Sequence, residues 1–323
     1  MPVIGVEAPR KPHQLTNRVV MIRPDHFAYN AETAVSNSFQ NPPANQAEAR
    51  ARALTEFEGM VGTLREAGIR VTVLPSRKDA DTPDAVFPNN WFSTHEVPGE
   101  PGASDVVLYP MLTPNRREER QIDALRGALT DMGLSSDVVD MTGDEANGGI
   151  LEGTGSLVLD RANRIAYALE SPRTTKEEFD KWADAMAFDQ VFFHAVDTVT
   201  GNPIYHTNVV MSVGDGFSVL CSDAIPDVQE RAMVEASLEE HGELIRITPE
   251  QMNNFAGNIL QVRAVNGDSK IIMSQTAFEA FTPEQRERME HYGDLVPVEI
   301  PTIEFVGGGS ARCMVAEVFP PLD

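Results

Sequence analysis

The sequence predicts an α/β fold: five helix-plus-sheet units arranged as a ring, closed by pairing of the N- and C-terminal strands. Three observations carry this reading. An amphipathic helical stretch leads into a short apolar strand five times. Hairpin-like pairs of strands lie between those units. The last helix is followed by one strand only, and the first strand has no helix before it, so the two ends complete a fifth unit. An open mixed α/β sheet is the alternative built from the same elements.

The N-terminal strand is VVMIRP, Val19 to Pro24. The first helix-plus-strand stretch runs from Thr55 to Pro75. Its apolar residues fall at helical spacing, Gly68 stops the helix, and Val71 to Leu74 read as strand. Arg120 to Met141 repeats the pattern with Gly133 as the stop. Lys176 to Val196, Asp227 to Thr248 and Pro283 to Ile300 repeat it again. One strand pair spans Gly155 to Glu170. A second, Asn208 to Ser222, turns at Gly214-Asp215-Gly216, and a third, Asn258 to Gln275, turns at Asn266-Gly267-Asp268. Cys313 to Phe319, CMVAEVF, reads as the strand that closes the ring. Glu96 to Asp105 is Pro/Gly-rich and reads as a surface loop. Ser36 to Ala49 reads as a surface loop or a mobile flap. No linker divides the chain, so residues 1–323 read as one domain.

Composition excludes several classes of function. A net charge of −23 over 323 residues argues against nucleic acid and against an anionic membrane surface. No apolar run approaches the roughly 20 residues that span a bilayer. The first 17 residues lack the apolar stretch of a secretory signal. Two cysteines make no disulfide framework, and no CxxC, HExxH, GxGxxG or GxxxxGK[ST] is present. The expectation is a cytoplasmic protein with a small-molecule partner, no metal and no cofactor. Homo-oligomerisation stays open.

Chemistry concentrates where each unit enters its hairpin. Those places are Pro88 to His95, Leu151 to Gly155 with Glu152, Tyr205 to Asn208 with His206, Phe255 to Asn258, and Gly307 to Cys313. In a ring these positions are equivalent and face one mouth. Glu152, His206 and Cys313 then meet as a thiol nucleophile, an acid/base group and an orienting carboxylate. Taken singly each is weak, since a free cysteine is usually a buried, inert residue. Cys221 has that plainer reading. Arg312, placed in a strand, points away from the face of Cys313 and reads as structural.

Five motifs resemble the amidinotransferase/arginine deiminase superfamily of guanidine-modifying enzymes, and the similarity covers nearly the whole chain. The resemblance implies a fivefold pseudosymmetric α/β propeller. GGGSARCM, Gly307 to Met314, is similar to the family's nucleophile motif, which implies that role for Cys313. YHTN places His206 on the family's acid/base histidine, and LEGTG places Glu152 on its catalytic carboxylate. SPRT resembles the deiminases' SERT and implies that Arg173 binds the substrate α-carboxylate. PNNWFSTH resembles PN-x-x-F-T-R-D and puts Asn89 on a substrate-binding asparagine.

Two departures from the family pattern bear on the substrate. Deiminases clamp the guanidinium with two carboxylates, and the matching positions here are His95 and Asn208. A guanidinium buried without carboxylates bears a large desolvation cost, whereas a ureido group does not. Citrulline, hydrolysed to ornithine, CO2 and ammonia through a covalent thioester, is the substrate these departures imply. Asp84 is the residue that would restore a missing charge. In that case the chain reads as an arginine deiminase or dihydrolase, or another guanidino-group hydrolase. A catalytically inactive binding relative is a third reading.

Overall fold

The computed structural model describes residues 11–198 and 201–322. Its strands in chain order are β1 (Arg18–Ile22), β2 (Arg70–Leu74), β3 (Phe92–Glu96), β4 (Ala103–Leu108), β5 (Ser135–Asp140), β6 (Leu157–Asp160), β7 (Ile165–Leu169), β8 (Asp189–Phe193), β9 (Met211–Val213), β10 (Phe217–Leu220), β11 (Glu243–Arg246), β12 (Leu260–Arg263), β13 (Ser269–Ser274), β14 (Asp294–Val298) and β15 (Ala316–Glu317). They form five three-stranded sheets. In four of them an antiparallel hairpin is extended by a parallel strand that arrives after a helix: β3-β4-β5, β6-β7-β8, β9-β10-β11 and β12-β13-β14. A parallel partner needs such a crossover, which explains why the helix stands where it does.

The fifth sheet has the same order but draws its first strand from the far end of the sequence. β1 lies at its centre, parallel to β2 and antiparallel to β15, with Val19 opposite Glu317. The expected pairing of the two ends is thus observed.

The five expected helices are Gln46–Glu66, Ile122–Asp131, Lys176–Met186, Val228–His241 and Pro283–Glu290. The first buries Ala49, Ala53, Phe57, Met60, Val61 and Leu64, one face at helical spacing. It starts nine residues earlier than the sequence predicts. Its first turns are rich in Ala, Glu and Arg, all strong helix formers, and the Asn45 side chain caps it by accepting from the Ala47 and Glu48 amides. The irregular segment before it is correspondingly shorter than Ser36 to Ala49.

Two further expectations need correction. Glu96 to Asp105 is a surface loop only over Val97 to Gly102, which form the turn of a fourth hairpin; Glu96 and Ala103 to Asp105 belong to its strands β3 and β4. The closing strand is two residues long, and Cys313 precedes it on a single 3-10 turn, Ala311–Met314. That turn sits in an apolar cluster with Val19, Met21, Phe87 and Val315, which fixes its backbone. Among the described residues no helix is long and apolar enough to cross a membrane, and no group of His, Cys, Asp and Glu could hold a metal ion.

Candidate active site

One-turn helices precede the first strand of four sheets, and each carries a candidate residue. Pro88–Asn90 leads into β3 and carries Asn89 and Asn90. Gly153–Ser156 leads into β6 with Glu152 at its N-cap. Thr207–Val210 leads into β9 with His206 at its N-cap. Ala311–Met314 leads to β15 and carries Cys313. Before β12 the corresponding turn ends in Asn258. Asn90, His206 and Cys313, from three of these turns, meet at a narrow cavity that Asp84, Arg116 and Arg173 also line, with Gly307 to Gly309 on one side.

Glu152 and His206 form a buried pair. His206 Nε2 lies 2.9 Å from Glu152 Oε2. The carboxylate also accepts from the Leu112 amide at 3.1 Å and from Arg173 Nη1 at 3.4 Å, while Arg116 Nη1 stands 3.9 Å away. Burial pushes the Glu152 carboxyl up, but Arg173, His206 and Arg116 outweigh it and hold the group well below the usual carboxylate range. Burial pushes His206 down to about 4; the carboxylate pulls the other way, and the two arginines add to the lowering. The pair is therefore a neutral imidazole oriented by an ionised carboxylate. With Nε2 turned to Glu152, Nδ1 is left as the basic nitrogen.

The Cys313 thiol rests on two amides. Asn258 Nδ2 lies 3.3 Å from Sγ and Asn208 Nδ2 lies 3.5 Å from it. Both are donors suited to a sulfur that becomes anionic. Asn258 Oδ1 is held in place by the Arg312 amide at 3.1 Å.

Asp84 is buried beneath the loop that follows Asn30. Its Oδ2 accepts from Asn30 Nδ2 at 2.7 Å and Thr33 Oγ1 at 3.0 Å, and its Oδ1 has no partner. Burial pushes its carboxyl up, against the pull of Arg116 and the two hydrogen bonds. Arg173 reaches Ser36 Oγ at 2.9 Å and the Thr33 carbonyl at 3.0 Å, with its guanidinium over the Tyr205 ring. Arg116 grips Glu119 through two bonds of 2.9 Å and reaches Asn90 Oδ1 at 2.7 Å.

The segment between Asn30 and Asn45 covers the cavity. Asn37 Nδ2 donates to the Gly308 carbonyl at 3.2 Å, and Gln40 Nε2 to that of Gly307 at 2.9 Å. Gly308 has φ 64°, and a Cβ there would stand 2.7 Å from Gln40 Cγ, so both backbone and space require glycine. Gly307 and Gly309 pack against the Phe87 ring. The glycines thus admit close protein neighbours while lining the cavity.

Of the eight candidate residues, six line the cavity or bond directly to one that does: Cys313, His206, Glu152, Arg173, Asp84 and Asn208. His95 does not. It lies within β3, with Nε2 2.7 Å from Ser93 Oγ and Nδ1 3.3 Å from Arg161 Nη1, packed against Trp182 and Phe188. The turn at Pro88–Asn90 faces the cavity and the strand then carries position 95 away from it. Asn89 is fully buried but off the cavity wall; its neighbour Asn90 is the one that lines it. Asn208 touches the thiol and opens on its other side to a separate small cavity shared with Arg161, Arg312 and Glu317. Arg312 donates to the Val315 carbonyl and to Glu317 at 2.8 Å, a structural role.

Asn90, Arg116 and Asn258 carry no role in the sequence reading. Asn258 had a signal, its equivalent place in the repeat. Asn90 stands one residue from Asn89 in the same motif. Arg116 has none, because it reaches the cavity from the segment that follows β4.

A family model described as "N,N dimethylarginine dimethylhydrolase, eukaryotic" matches residues 23–320. No curated protein matches. Among solved structures, the N-terminal domain of ArgZ with bound substrate, described as an arginine dihydrolase of the ornithine-ammonia cycle in cyanobacteria, is 21% identical with a TM-score of 0.69, over 94% of this chain and 98% of that one. The same domain covalently bound to a reaction intermediate gives 20% identity and a TM-score of 0.70, over 94% of this chain and 98% of that one. A dimethylarginine dimethylaminohydrolase adduct with S-methyl-L-thiocitrulline is 13% identical with a TM-score of 0.60, over 94% of this chain and all of that one. At these identities the likeness is one of fold.

Proposed function

Because the chain belongs to the eukaryotic-type N,N-dimethylarginine dimethylhydrolase family, within the superfamily that also holds the arginine deiminases, we propose that it is a cysteine hydrolase of the guanidino group of free arginine, carrying it through two hydrolyses to ornithine. One observation carries this reading. The same cavity presents a buried carboxylate oxygen of Asp84 and the amide NH2 of Asn90, neither of which has a partner. An unpaired buried carboxylate oxygen suits a guanidinium cation. An unpaired N–H suits a carbonyl oxygen. A site that must hold first a guanidinium and then a ureido carbon needs both.

Arg173 takes the substrate α-carboxylate in exchange for its contacts with Ser36 and Thr33. Cys313 gives its thiol proton to His206 as its sulfur, supported by Asn208 and Asn258, attacks the guanidino carbon. His206 delivers a proton to the departing nitrogen and ammonia leaves, with carbon bound to sulfur. His206 then takes a proton from water, whose oxygen adds to that carbon. Expulsion of a second ammonia leaves a carbamoyl thioester, with its oxygen on the Asn90 amide. A second water frees the thiolate, and the carbamate yields CO2 and ornithine. Glu152 holds the imidazole in the orientation both steps need. The five sheets serve as the blades of one closed ring, with residues 1–323 as a single catalytic domain; their shared strand order and the β1–β15 pairing support this.

Citrulline as the direct substrate is the second reading. Asn90 and the two neutral amides at the thiol favour it. Its other support was the loss of charge at 95 and 208, and His95 lies outside the cavity while Asp84 lies within it.

The test is turnover of arginine, citrulline, dimethylarginine and agmatine, with ornithine, citrulline and ammonia measured. Arginine should give two ammonia per ornithine. Cys313→Ala should lose at least about 1,000-fold in rate, and Asp84→Asn should raise KM for arginine about 10- to 100-fold while sparing citrulline. Turnover of citrulline without arginine establishes the second reading; turnover of none rejects both.

A further inference from the structure

We propose that the buried Arg116–Glu119 pair is a positioning device: it sets the direction of the Asn90 amide and so decides whether arginine is hydrolysed once or twice. The inference rests on the two-step reading above. Neither Arg116 nor Glu119 is needed for bond making in that scheme, and both are hidden, at 2% and 1% exposure. A buried ion pair is weak evidence of a contribution to stability, because desolvation cancels most of the attraction. What this pair does hold is a guanidinium in a fixed plane. Nε and Nη2 each donate to one Glu119 oxygen at 2.9 Å, and Nη2 also donates to the Phe87 carbonyl at 3.2 Å. That leaves Nη1, which donates to Asn90 Oδ1 at 2.7 Å.

A guanidinium has donors only. Against it, the Asn90 amide has one permitted orientation. Turned over, its NH2 would face Nη1–H, donor against donor. The carbonyl therefore points to Arg116 and the NH2 points away from it, where it has no protein partner. The direction is towards the catalytic histidine: a Cβ placed on Gly155 would stand 2.3 Å from Asn90 Nδ2 and 2.7 Å from His206 Nδ1. The NH2 is thus a fixed donor beside the base. The oxygen that water adds after the first ammonia has left finds a donor there, and the carbon keeps its bond to sulfur while the second ammonia departs. If the amide were free to turn, that oxygen would also meet a carbonyl, the adduct would expel the thiolate instead of ammonia, and citrulline would leave.

The full-length protein is assayed with arginine as Arg116→Gln/Glu119→Gln, as Glu119→Gln alone and as Arg116→Lys. Glutamine at 116 can donate or accept, so it no longer forbids the turned amide. The double variant should raise the ratio of citrulline to ornithine released at least about tenfold, whatever the change in total arginine consumption. Glu119→Gln should raise the ratio about two- to threefold, and Arg116→Lys, whose ammonium still only donates, should leave it near the starting value. A merely structural role lowers arginine consumption and leaves the ratio unchanged in all three, which overturns the proposal. If the double variant does not fold, the ratio in Glu119→Gln relative to Arg116→Lys decides, and equality overturns it. Failure of the two-step reading shows separately, as absence of ornithine from the unaltered protein, and takes this inference with it.

Discussion

His206 and His95 are equally hidden, each with 2% of its surface exposed. Burial, reinforced by nearby arginines, pushes both imidazoles below the ordinary histidine range. Their partners differ. His206 meets the Glu152 carboxylate and forms part of the wall of the cavity that holds Cys313. His95 meets a serine hydroxyl, an arginine and two aromatic rings. A depressed basicity is thus a property of being buried, and it does not mark a base. What separates the two is a carboxylate that fixes one ring nitrogen and a place on the cavity wall beside Cys313.

The largest effect that tests this contrast is on rate. His206→Gln should lower kcat/KM by about 100- to 10,000-fold, the usual span for general acid–base groups. A loss under tenfold would make His206 no more of a base than His95. Next comes stability against pH. Below about pH 6.5 an unfolded chain protonates both imidazoles, whereas the native chain keeps them neutral. Acidification from there towards pH 4 should therefore favour unfolding, with each histidine adding up to about 1.4 kcal/mol per pH unit. Urea titrations at several pH values should show a shallower decline in His95→Leu, and an unchanged decline would mean that His95 is charged in the native protein. The smallest expected effect is the rate of that same variant at neutral pH. It should stay within about threefold of the unaltered protein while losing about 1–3 kcal/mol of stability, the cost of removing one hydrogen-bond partner each from buried Ser93 and Arg161.

Much of the architecture could be read because it is local. Helical spacing ending at Gly68 and Gly133, and turns at Gly214 to Gly216 and Asn266 to Asp268, are each decided within a few residues. The β3–β4 hairpin escaped because its turn, Val97 to Gly102, is longer and proline-rich. The repeat also placed Glu152, His206 and Cys313 on equivalent turns, and they do converge. Asn89 and Asn90 could not be told apart, since a 3-10 turn sends neighbouring side chains in different directions and sequence does not give its phase. His95 was misplaced for a related reason: a motif match fixes letters, while the strand after the turn fixes where they point. Arg116 depends wholly on packing between segments.

The pairing of β1 with β15 has a consequence of timing. The contacts that accompany it join residues 302 positions apart, as where Thr16 Oγ1 donates to the Val318 carbonyl. Loop-closure entropy rises with the length of chain enclosed, and such pairings come late in folding. The other four hairpins are local and can form early. A chain that has built those four sheets already holds Glu152 against His206, but its thiol is still loose, because the turn that carries Cys313 is anchored by the strand that follows it. Chemical competence is then the last thing the molecule acquires, and it arrives when the two ends of the fold meet.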